Sequence, residues 1–183
     1  KDKIEVLPNS IKITDKTMAT LGERFILYAG RISSEKGVEE LIKTYLRMDN
    51  IGLKLKIIGD GPALKKLINQ YKNVNIEFLG ELQNSEVIEI MEKASVVITA
   101  TKLYEGQPTL LCEASSLGIP SIFPETGGIK EFFPDDYQLS FKHFDYIDLK
   151  QKLNLISNPE LLKKIGKENK KYLFNYLDEN RLL

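Results

Sequence analysis

The chain has 183 residues, of which 42% are hydrophobic and 28% are charged. This length fits one domain, and the composition is typical of a folded globular protein and excludes a disordered one. The 26 basic and 26 acidic residues cancel, so we expect neither nucleic acid nor an anionic membrane as an electrostatic partner. We expect no transmembrane segment, because no apolar run approaches the roughly 20 residues of a bilayer crossing. Residues 1–10 also lack the apolar core of a signal peptide.

Short apolar runs alternate with longer amphipathic segments along most of the chain. In chain order they predict strand 24–30, helix 35–48, strand 53–59, helix 61–71, strand 74–80, helix 84–94, strand 95–100, helix 108–117 and strand 119–123. We expect Asn84 to cap the N-terminus of helix 84–94. After residue 135 the pattern weakens and indicates strand 137–141, helix 148–157 and helix 158–183, with Pro159 in the first turn of the last helix.

This alternation predicts an α/β fold, a three-layer, Rossmann-like, doubly wound parallel sheet with right-handed crossovers. We find no internal repeat, low-complexity tract or linker, so residues 1–183 are predicted to form a single domain.

Cysteine and histidine are too scarce for a structural zinc site. Cys112 is the one cysteine and His143 the one histidine, so neither an internal disulfide nor a zinc cluster is expected. We expect Cys112 to be a small buried helix residue and not a nucleophile.

Three predicted strands end in glycine, at Gly30, Gly59 and Gly80. The carboxyl ends of strands are where open α/β sheets bind ligands. The alternative is that these glycines only permit tight turns.

Residues 103–120, LYEGQPTLLCEASSLGIP, predict a helix with an acid near each end of its first half. Pro108 suits the first helical position, and Gly118 a left-handed cap. One apolar arc is expected to pack on the sheet, and it consists of Leu110, Leu111, Ala114 and Leu117. Free amides of Thr109 and Leu110 at the helix start would attract an anion.

Glu105 falls in the loop before this helix and Glu113 on the border of its apolar arc. A partly buried carboxylate needs hydrogen-bond donors, and ligand hydroxyls would supply them. The alternative is a solvated Glu105 and a Glu113 paired with a lysine.

Two cations follow the first strand at the same edge of the predicted sheet. Arg31 lies just past the strand and Lys36 opens the next helix. The guanidinium offers a planar fork and the ammonium a point charge for a diphosphate. The alternative is ordinary solvated surface charge.

Four segments, in this order and spacing, resemble the retaining glycosyltransferases of family four, which have the GT-B fold. They are GRISSEKGVEELI, IIGDGP, IEFLG and EGQPTLLCEASSLGIPSIFPETGGIKEFF. The resemblance is close over residues 24–133 and loose in the flanks. It implies the C-terminal, donor-binding half of a GT-B fold, with VLPNSI (6–11) as its entry and the N-terminal acceptor domain outside these 183 residues.

The resemblance also implies residue roles. Arg31 and Lys36 would hold the donor diphosphate and, with Glu105, act in catalysis, while Glu105 contacts sugar hydroxyls and Glu113 ribose hydroxyls. Further donor-binding residues would be Gly30, Gly59, Gly80, Leu82, Gly106, Gln107, Pro108, Thr109 and Leu110. The loop TGGI (126–129) would close on the donor side, or is a simple turn.

One departure from the family pattern concerns the sugar. Many members have glycine, phenylalanine and glycine after the first acid, whereas this chain has Gly106, Gln107 and Pro108. The amide of Gln107 could hydrogen-bond a sugar hydroxyl.

The activity that the resemblance implies is transfer of a sugar from a UDP-, GDP- or ADP-sugar to a hydroxyl of a glycan or lipid-linked glycan, with retention of configuration. It implies no metal and no cofactor, a role in polysaccharide or glycoconjugate synthesis, and a cytoplasmic enzyme or one peripheral to the inner face of the membrane. The donor domain alone would be almost inactive.

Three other classes are alternatives. A dinucleotide-binding oxidoreductase domain needs a G-x-G-x-x-G motif after the first strand, and AGRISSEKG lacks it. A regulatory or nucleotide-binding α/β module without catalysis would match the fold, and a GT-B nucleotide-sugar epimerase would share the nucleotide site.

Overall fold

The computed structural model describes residues 24–48 and 52–179. The predicted entry segment 6–11 and the last four residues of the predicted helix 158–183 lie outside them.

Six parallel strands form one sheet in the order β3-β2-β1-β4-β5-β6. The strands are β1 (Phe25–Ala29), β2 (Lys54–Ile58), β3 (Ile76–Gly80), β4 (Val96–Ile98), β5 (Ser121–Glu125) and β6 (Ser140–Lys142). The helices are α1 (Val38–Leu46), α2 (Leu64–Gln70), α3 (Asn84–Met91), α4 (Thr109–Ser116), α5 (Tyr146–Leu155) and α6 (Pro159–Glu179), and a short 3₁₀ helix spans Ile129–Phe132. The Rossmann-like α/β fold with its parallel sheet is confirmed.

The strand order reverses between β1 and β4, which lie side by side at the centre of the sheet. Ile26 of β1 is aligned with Leu55 of β2 on one side and Val96 of β4 on the other. All three side chains are fully buried, as expected for a parallel sheet covered on both faces. Chains leaving β1 and β4 therefore diverge and open a crevice at the carboxyl edge of the sheet.

Several predicted boundaries and caps were wrong in detail. Val74, predicted to begin a strand, is 88% exposed, and β3 begins at Ile76. Gln83, not Asn84, is the residue before α3, and its main-chain N–H donates to the Glu86 carboxylate at 2.9 Å. Pro108 lies one residue before α4 because its ψ of 82° is not helical, whereas Gly118 takes the expected left-handed φ of 75°.

Helix α1 also begins later than predicted, at Val38 and not at residue 35. Residues 34–37 form a turn that ends at Gly37, with φ at 66°. A Cβ on Gly37 would lie 1.9 Å from the carbonyl oxygen of Ala100. This close main-chain approach places the turn before α1 directly against the end of β4.

Helix α6 packs on α4 through small and polar residues. A Cβ on Gly166 would lie 2.0 Å from the Gly118 carbonyl oxygen. Three residues on, the fully buried Asn169 side chain donates to Ser115 Oγ. In the described part of the chain, none of the helices combines the length and apolar character that a bilayer crossing requires.

Replacing Gly166 by alanine tests this close packing. In an unhindered helix the change would stabilise the fold by about 1 kcal/mol. Here the new methyl group overlaps the Gly118 carbonyl, so we expect a loss of about 1–3 kcal/mol in the free energy of unfolding. Urea denaturation measures it, with Lys163→Ala on the exposed side of α6 as the control, expected within about 0.5 kcal/mol of the parent. A more stable Gly166→Ala protein would contradict the overlap.

Candidate functional site

A cleft of about 890 Å³ opens at the carboxyl edge of the sheet, between the ends of β1 and β2 and the start of α4. Seven predicted site residues line it, namely Gly30, Arg31, Gly59, Leu82, Thr109, Leu110 and Glu113. Its volume is in the range of small-molecule and cofactor sites.

Close backbone packing explains the glycine at the end of β2. A Cβ on Gly59 would lie 2.0 Å from the Gly30 carbonyl oxygen. The Gly59 amide donates to the Gly80 carbonyl at 2.7 Å. Gly80, at the end of β3, therefore fixes the neighbouring end of β2, and it is not among the residues that line the cleft.

Glu113 lies on the cleft wall as a half-buried carboxylate. Burial raises its pKa above the ordinary glutamate value, and a hydrogen bond from the Asn84 side chain acts in the opposite direction. Asn84 also lines the cleft. The carboxylate therefore has one protein donor and capacity to accept further hydrogen bonds from a ligand.

The apolar arc predicted for α4 is right at three positions and wrong at the fourth. Leu111, Ala114 and Leu117 are at most 5% exposed, but Leu110 is half-buried and lines the cleft with Glu113. A helix turns by about 100° per residue, so Leu110 and Glu113 lie only about 60° apart around α4 and share the side that faces the cleft.

Main-chain amides at the start of α4 are available to bind an anion, but only one of the two predicted from the sequence is among them. The Thr109 amide, expected to be free, donates to the Gln107 carbonyl at 3.1 Å. The amides of Leu110 and Leu111 have no acceptor among the described residues. These two donors and the helix dipole leave a partial positive charge at the cleft wall.

Lys36 and Glu105 form an ion pair beside the cleft, with Nζ and Oε1 2.5 Å apart. Thr101 Oγ1 donates to the same carboxylate oxygen at 2.9 Å. The structure thus brings together two predicted residues that are 69 positions apart, but as partners of each other and not as residues lining the cleft.

The main chain of Glu105 packs against the loop TGGI (126–129). The Gly128 amide donates to the Glu105 carbonyl at 2.8 Å. Gly127 has φ at 59°, and a Cβ there would lie 2.0 Å from the same carbonyl oxygen. The glycines of this loop therefore allow the main chain of Glu105 to lie directly against it.

Arg31 lines the cleft with an exposed side chain whose guanidinium has no hydrogen bond or ion pair to the described residues. Its main chain is fixed, since the Tyr28 hydroxyl donates to the Arg31 carbonyl at 2.8 Å. Burial, and then the charges of Glu105 and Glu35, raise the pKa of that hydroxyl. The hydroxyl consequently stays protonated and keeps donating.

Besides Lys36, Gly80 and Glu105, three further predicted residues lie outside the lining of the cleft, namely Gly106, Gln107 and Pro108. The roles of Asp60 and Thr101 and the cleft position of Asn84 were not predicted from the sequence. Asp60 follows the strand-end Gly59 and could have been found by its position, whereas Thr101 has no sequence signal. Cys112 is fully buried, as predicted, and burial raises its pKa to about 12. Among the residues that the structure describes, no three His, Cys, Asp or Glu side chains are grouped to hold a metal ion.

A sequence model of the family "Glycosyl transferases group 1" matches residues 10–172. The chain belongs to the group 1 glycosyl transferases. This family membership confirms the resemblance read from the sequence motifs.

Individual relatives agree with this family assignment. The amylovoran biosynthesis glycosyltransferase AmsD of Erwinia amylovora is 32% identical over 130 residues, which are 70% of this chain and 37% of that protein. A glycogen synthase of Mycobacterium tuberculosis is 29% identical over 116 residues, which are 60% of this chain and 28% of that protein. The chain thus spans about a third of the length of these curated relatives.

Solved structures of glycosyltransferases share the fold. The catalytic domain of cholesterol-α-glucosyltransferase from Helicobacter pylori superimposes with a TM-score of 0.71 at 26% identity, over 83% of this chain and 98% of that one. HepE of Anabaena, in complex with UDP and glucose, gives a TM-score of 0.74 at 16% identity, over 87% of this chain and 48% of that one. The second likeness bears on the fold alone.

Replacing Glu113 by glutamine tests the cost of burying this carboxylate. A raised pKa means that the folded state binds more protons than the unfolded state above the ordinary glutamate pKa. Stability is therefore lost as pH rises through the folded-state pKa of Glu113. We expect Glu113→Gln to melt at a higher temperature than the parent at pH 7, with a difference that shrinks towards pH 4.

Thermal melts between pH 4 and pH 8 measure this difference. Glu89→Gln, on the exposed side of α3, is the control for loss of one negative charge. If Glu113→Gln and Glu89→Gln follow the same pH dependence, burial of Glu113 has no cost.

Proposed function

We propose that this chain is the donor-binding C-terminal half of a retaining glycosyltransferase and binds a nucleotide-diphosphate sugar. The observation that carries the proposal is that the half-buried Glu113 carboxylate, the start of α4 at Leu110 and the Arg31 side chain line one cleft. Neither the Leu110 amide nor the Arg31 guanidinium has a hydrogen-bond partner among the described residues. Hydroxyls suit the carboxylate, and a diphosphate suits the amides and the guanidinium.

The nucleoside would occupy the end of the cleft formed by the strand-end glycines. Gly59 lines this end of the cleft, and Leu82 supplies an apolar surface for a base. Gly80 accepts the Gly59 amide and so fixes the end of β2 beside β3. Glu113 would accept hydrogen bonds from the ribose hydroxyls. The raised pKa of Glu113 fits a carboxylate whose donors arrive with the ligand.

The diphosphate would lie between Arg31, Lys36 and the start of α4. Negative charge develops on the leaving phosphate as the bond to the anomeric carbon breaks. Fixed positive groups that face this charge lower the barrier without a metal ion. Lys36 is already held in place by Glu105, so it would bind phosphate without a large loss of side-chain freedom.

The sugar would lie next to Glu105 and Gln107, near Gly106, Pro108 and Thr109. The acceptor hydroxyl forms its new bond on the face that the phosphate leaves, and its proton passes to the leaving phosphate oxygen. Configuration is therefore retained. We assign neither Glu105 nor Glu113 as a covalent nucleophile.

The acceptor would be a glycan or lipid-linked glycan in polysaccharide or glycoconjugate synthesis, bound by a second domain outside these 183 residues. The Erwinia relative, which is named for amylovoran biosynthesis, supports the biosynthetic role. We further propose a cytoplasmic enzyme, or one peripheral to the inner face of the membrane, whose donor domain alone is almost inactive.

A calorimetric panel of UDP, GDP and ADP, first without and then with Mg²⁺, tests the donor site. We expect metal-independent binding of one nucleoside diphosphate. Glu113→Ala removes hydrogen bonds to a charged group, which contribute about 1.5–3 kcal/mol, so its affinity should fall by about ten- to a hundredfold. Glu89→Ala is the matched control and should bind normally. Equal binding by all three proteins would refute the ribose role of Glu113.

Arg31→Ala and Lys36→Ala test the diphosphate contacts in the full-length enzyme. Loss of one preorganised group that stabilises the leaving charge costs about a hundredfold or more in kcat. Transfer from the nucleotide sugar selected by the binding panel is the assay, and Lys163→Ala on α6 is the control for loss of one positive charge. Near-normal rates in both site variants would remove these residues from the phosphate site.

A further inference from the structure

Lys102 connects the loop after β4 to helix α1 by two separate bonds. Its main-chain amide donates to the Glu35 carbonyl at 2.8 Å. Its side-chain Nζ lies 2.7 Å from Oε1 of Glu40, in the first turn of α1. One residue therefore ties the loop to the turn before α1 through its main chain and to α1 itself through its side chain.

Each of the two connected segments carries one member of the Lys36–Glu105 ion pair. Lys36 follows Glu35 in the turn before α1, and Glu105 lies three residues after Lys102 in the loop. Thr101, which donates to the Glu105 carboxylate, directly precedes Lys102. The distance between the two segments thus sets the position of the Glu105 side chain.

The Lys102–Glu40 pair has a less exposed lysine than the Lys66–Glu39 pair, which also involves α1. Its side chains are only 28% and 27% exposed, and the second carboxylate oxygen of Glu40, Oε2, is buried and has no partner among the described residues. By contrast, Lys66, which pairs with Glu39 at 2.9 Å, is 63% exposed. Because the Lys102–Glu40 pair is partly shielded from solvent and has one buried oxygen, it restricts the loop more than a fully solvated ion pair does.

We propose that Lys102 is a positioning residue that holds Glu105 where it contacts the sugar of the donor. Lys102 itself does not line the nucleotide cleft. Loss of its side chain therefore weakens the contribution of the sugar to donor binding and leaves the nucleoside diphosphate contribution intact. The inference rests on the proposed function, because it requires Glu105 to contact the sugar.

Calorimetry with UDP and UDP-glucose on the full chain separates the two contributions, with the corresponding GDP or ADP pair if the panel selects that base. The variants are Lys102→Met, Lys102→Arg, Glu105→Gln and the double variant Lys102→Met with Glu105→Gln. Lys66→Met is the matched control, since it breaks a lysine–glutamate pair of α1 that is more exposed.

We expect Lys102→Met to lower the affinity for UDP-glucose relative to UDP by about tenfold, within the range of couplings between residues of one network. Lys102→Arg should restore most of the ratio, and Lys66→Met should leave it unchanged. In the Glu105→Gln background, Lys102→Met should have no further effect on the ratio. Glu40→Gln breaks the same pair from the other side and should give the same loss if Lys102→Met fails to fold.

The outcomes distinguish this inference from the proposed function. If Glu105→Gln lowers the ratio and Lys102→Met does not, the positioning role is overturned and the donor site stands. If UDP and UDP-glucose weaken equally, Lys102 acts on the whole cleft and the inference is also overturned. If Glu105→Gln leaves the ratio unchanged, the sugar role of Glu105 fails and the inference fails with it.

Hydrogen exchange provides a readout that needs no ligand. The Gly128 amide is bonded to the Glu105 carbonyl, so a loosened loop should expose it more often. We expect faster exchange of this amide in Lys102→Met than in the parent and in Lys66→Met. An unchanged exchange rate would contradict the positioning role even if no nucleotide binds.

Discussion

The carboxyl edge of the sheet depends on close main-chain contacts that only glycine permits. Gly37 lies against the Ala100 carbonyl, Gly59 against that of Gly30, and Gly127 against that of Glu105, each at a distance where a Cβ would overlap the oxygen. Four separate segments, which follow β1, β2, β4 and β5, are thereby held at backbone contact. These backbone contacts bring side chains from distant parts of the sequence close together. The backbone geometry therefore preorganises the site.

Some charged side chains at the carboxyl edge of the sheet have an oppositely charged partner, and others do not. Lys36 and Glu105 neutralise each other and gain a third contact from Thr101. By contrast, Glu113 is partly buried with a raised pKa, and Arg31 has no ion pair within the part of the chain that the structure describes. Burying a carboxylate without a full set of donors costs stability. Such a cost is common at binding sites, because the groups that a ligand satisfies are left unsatisfied without it.

Much of the fold could be predicted because it depends on local patterns. Apolar runs gave the strands, and the strand-end glycines gave the edge at which Gly30 and Gly59 line the cleft. What could not be predicted depends on contacts between distant segments. The pairing of Lys36 with Glu105 joins positions 69 residues apart, and Asn84 faces the cleft because Gln83 takes the capping position that a short-range pattern assigned to Asn84. Leu110 belonged to an apolar arc by periodicity, but the crevice beside β1 leaves that side of α4 uncovered.

The central place of β1 has a consequence for how the chain folds. One edge of β1 pairs with β2, but the other pairs with β4, where Val96 is aligned with Ile26 from 70 residues earlier. During synthesis, β1, β2 and β3 can associate while the second edge of β1 is still open. That open edge is a fully apolar strand, which is the kind of surface that pairs wrongly with other chains. The arrangement that creates the crevice thus also gives the nascent protein a period of exposure to aggregation, which ends only when β4 joins the sheet.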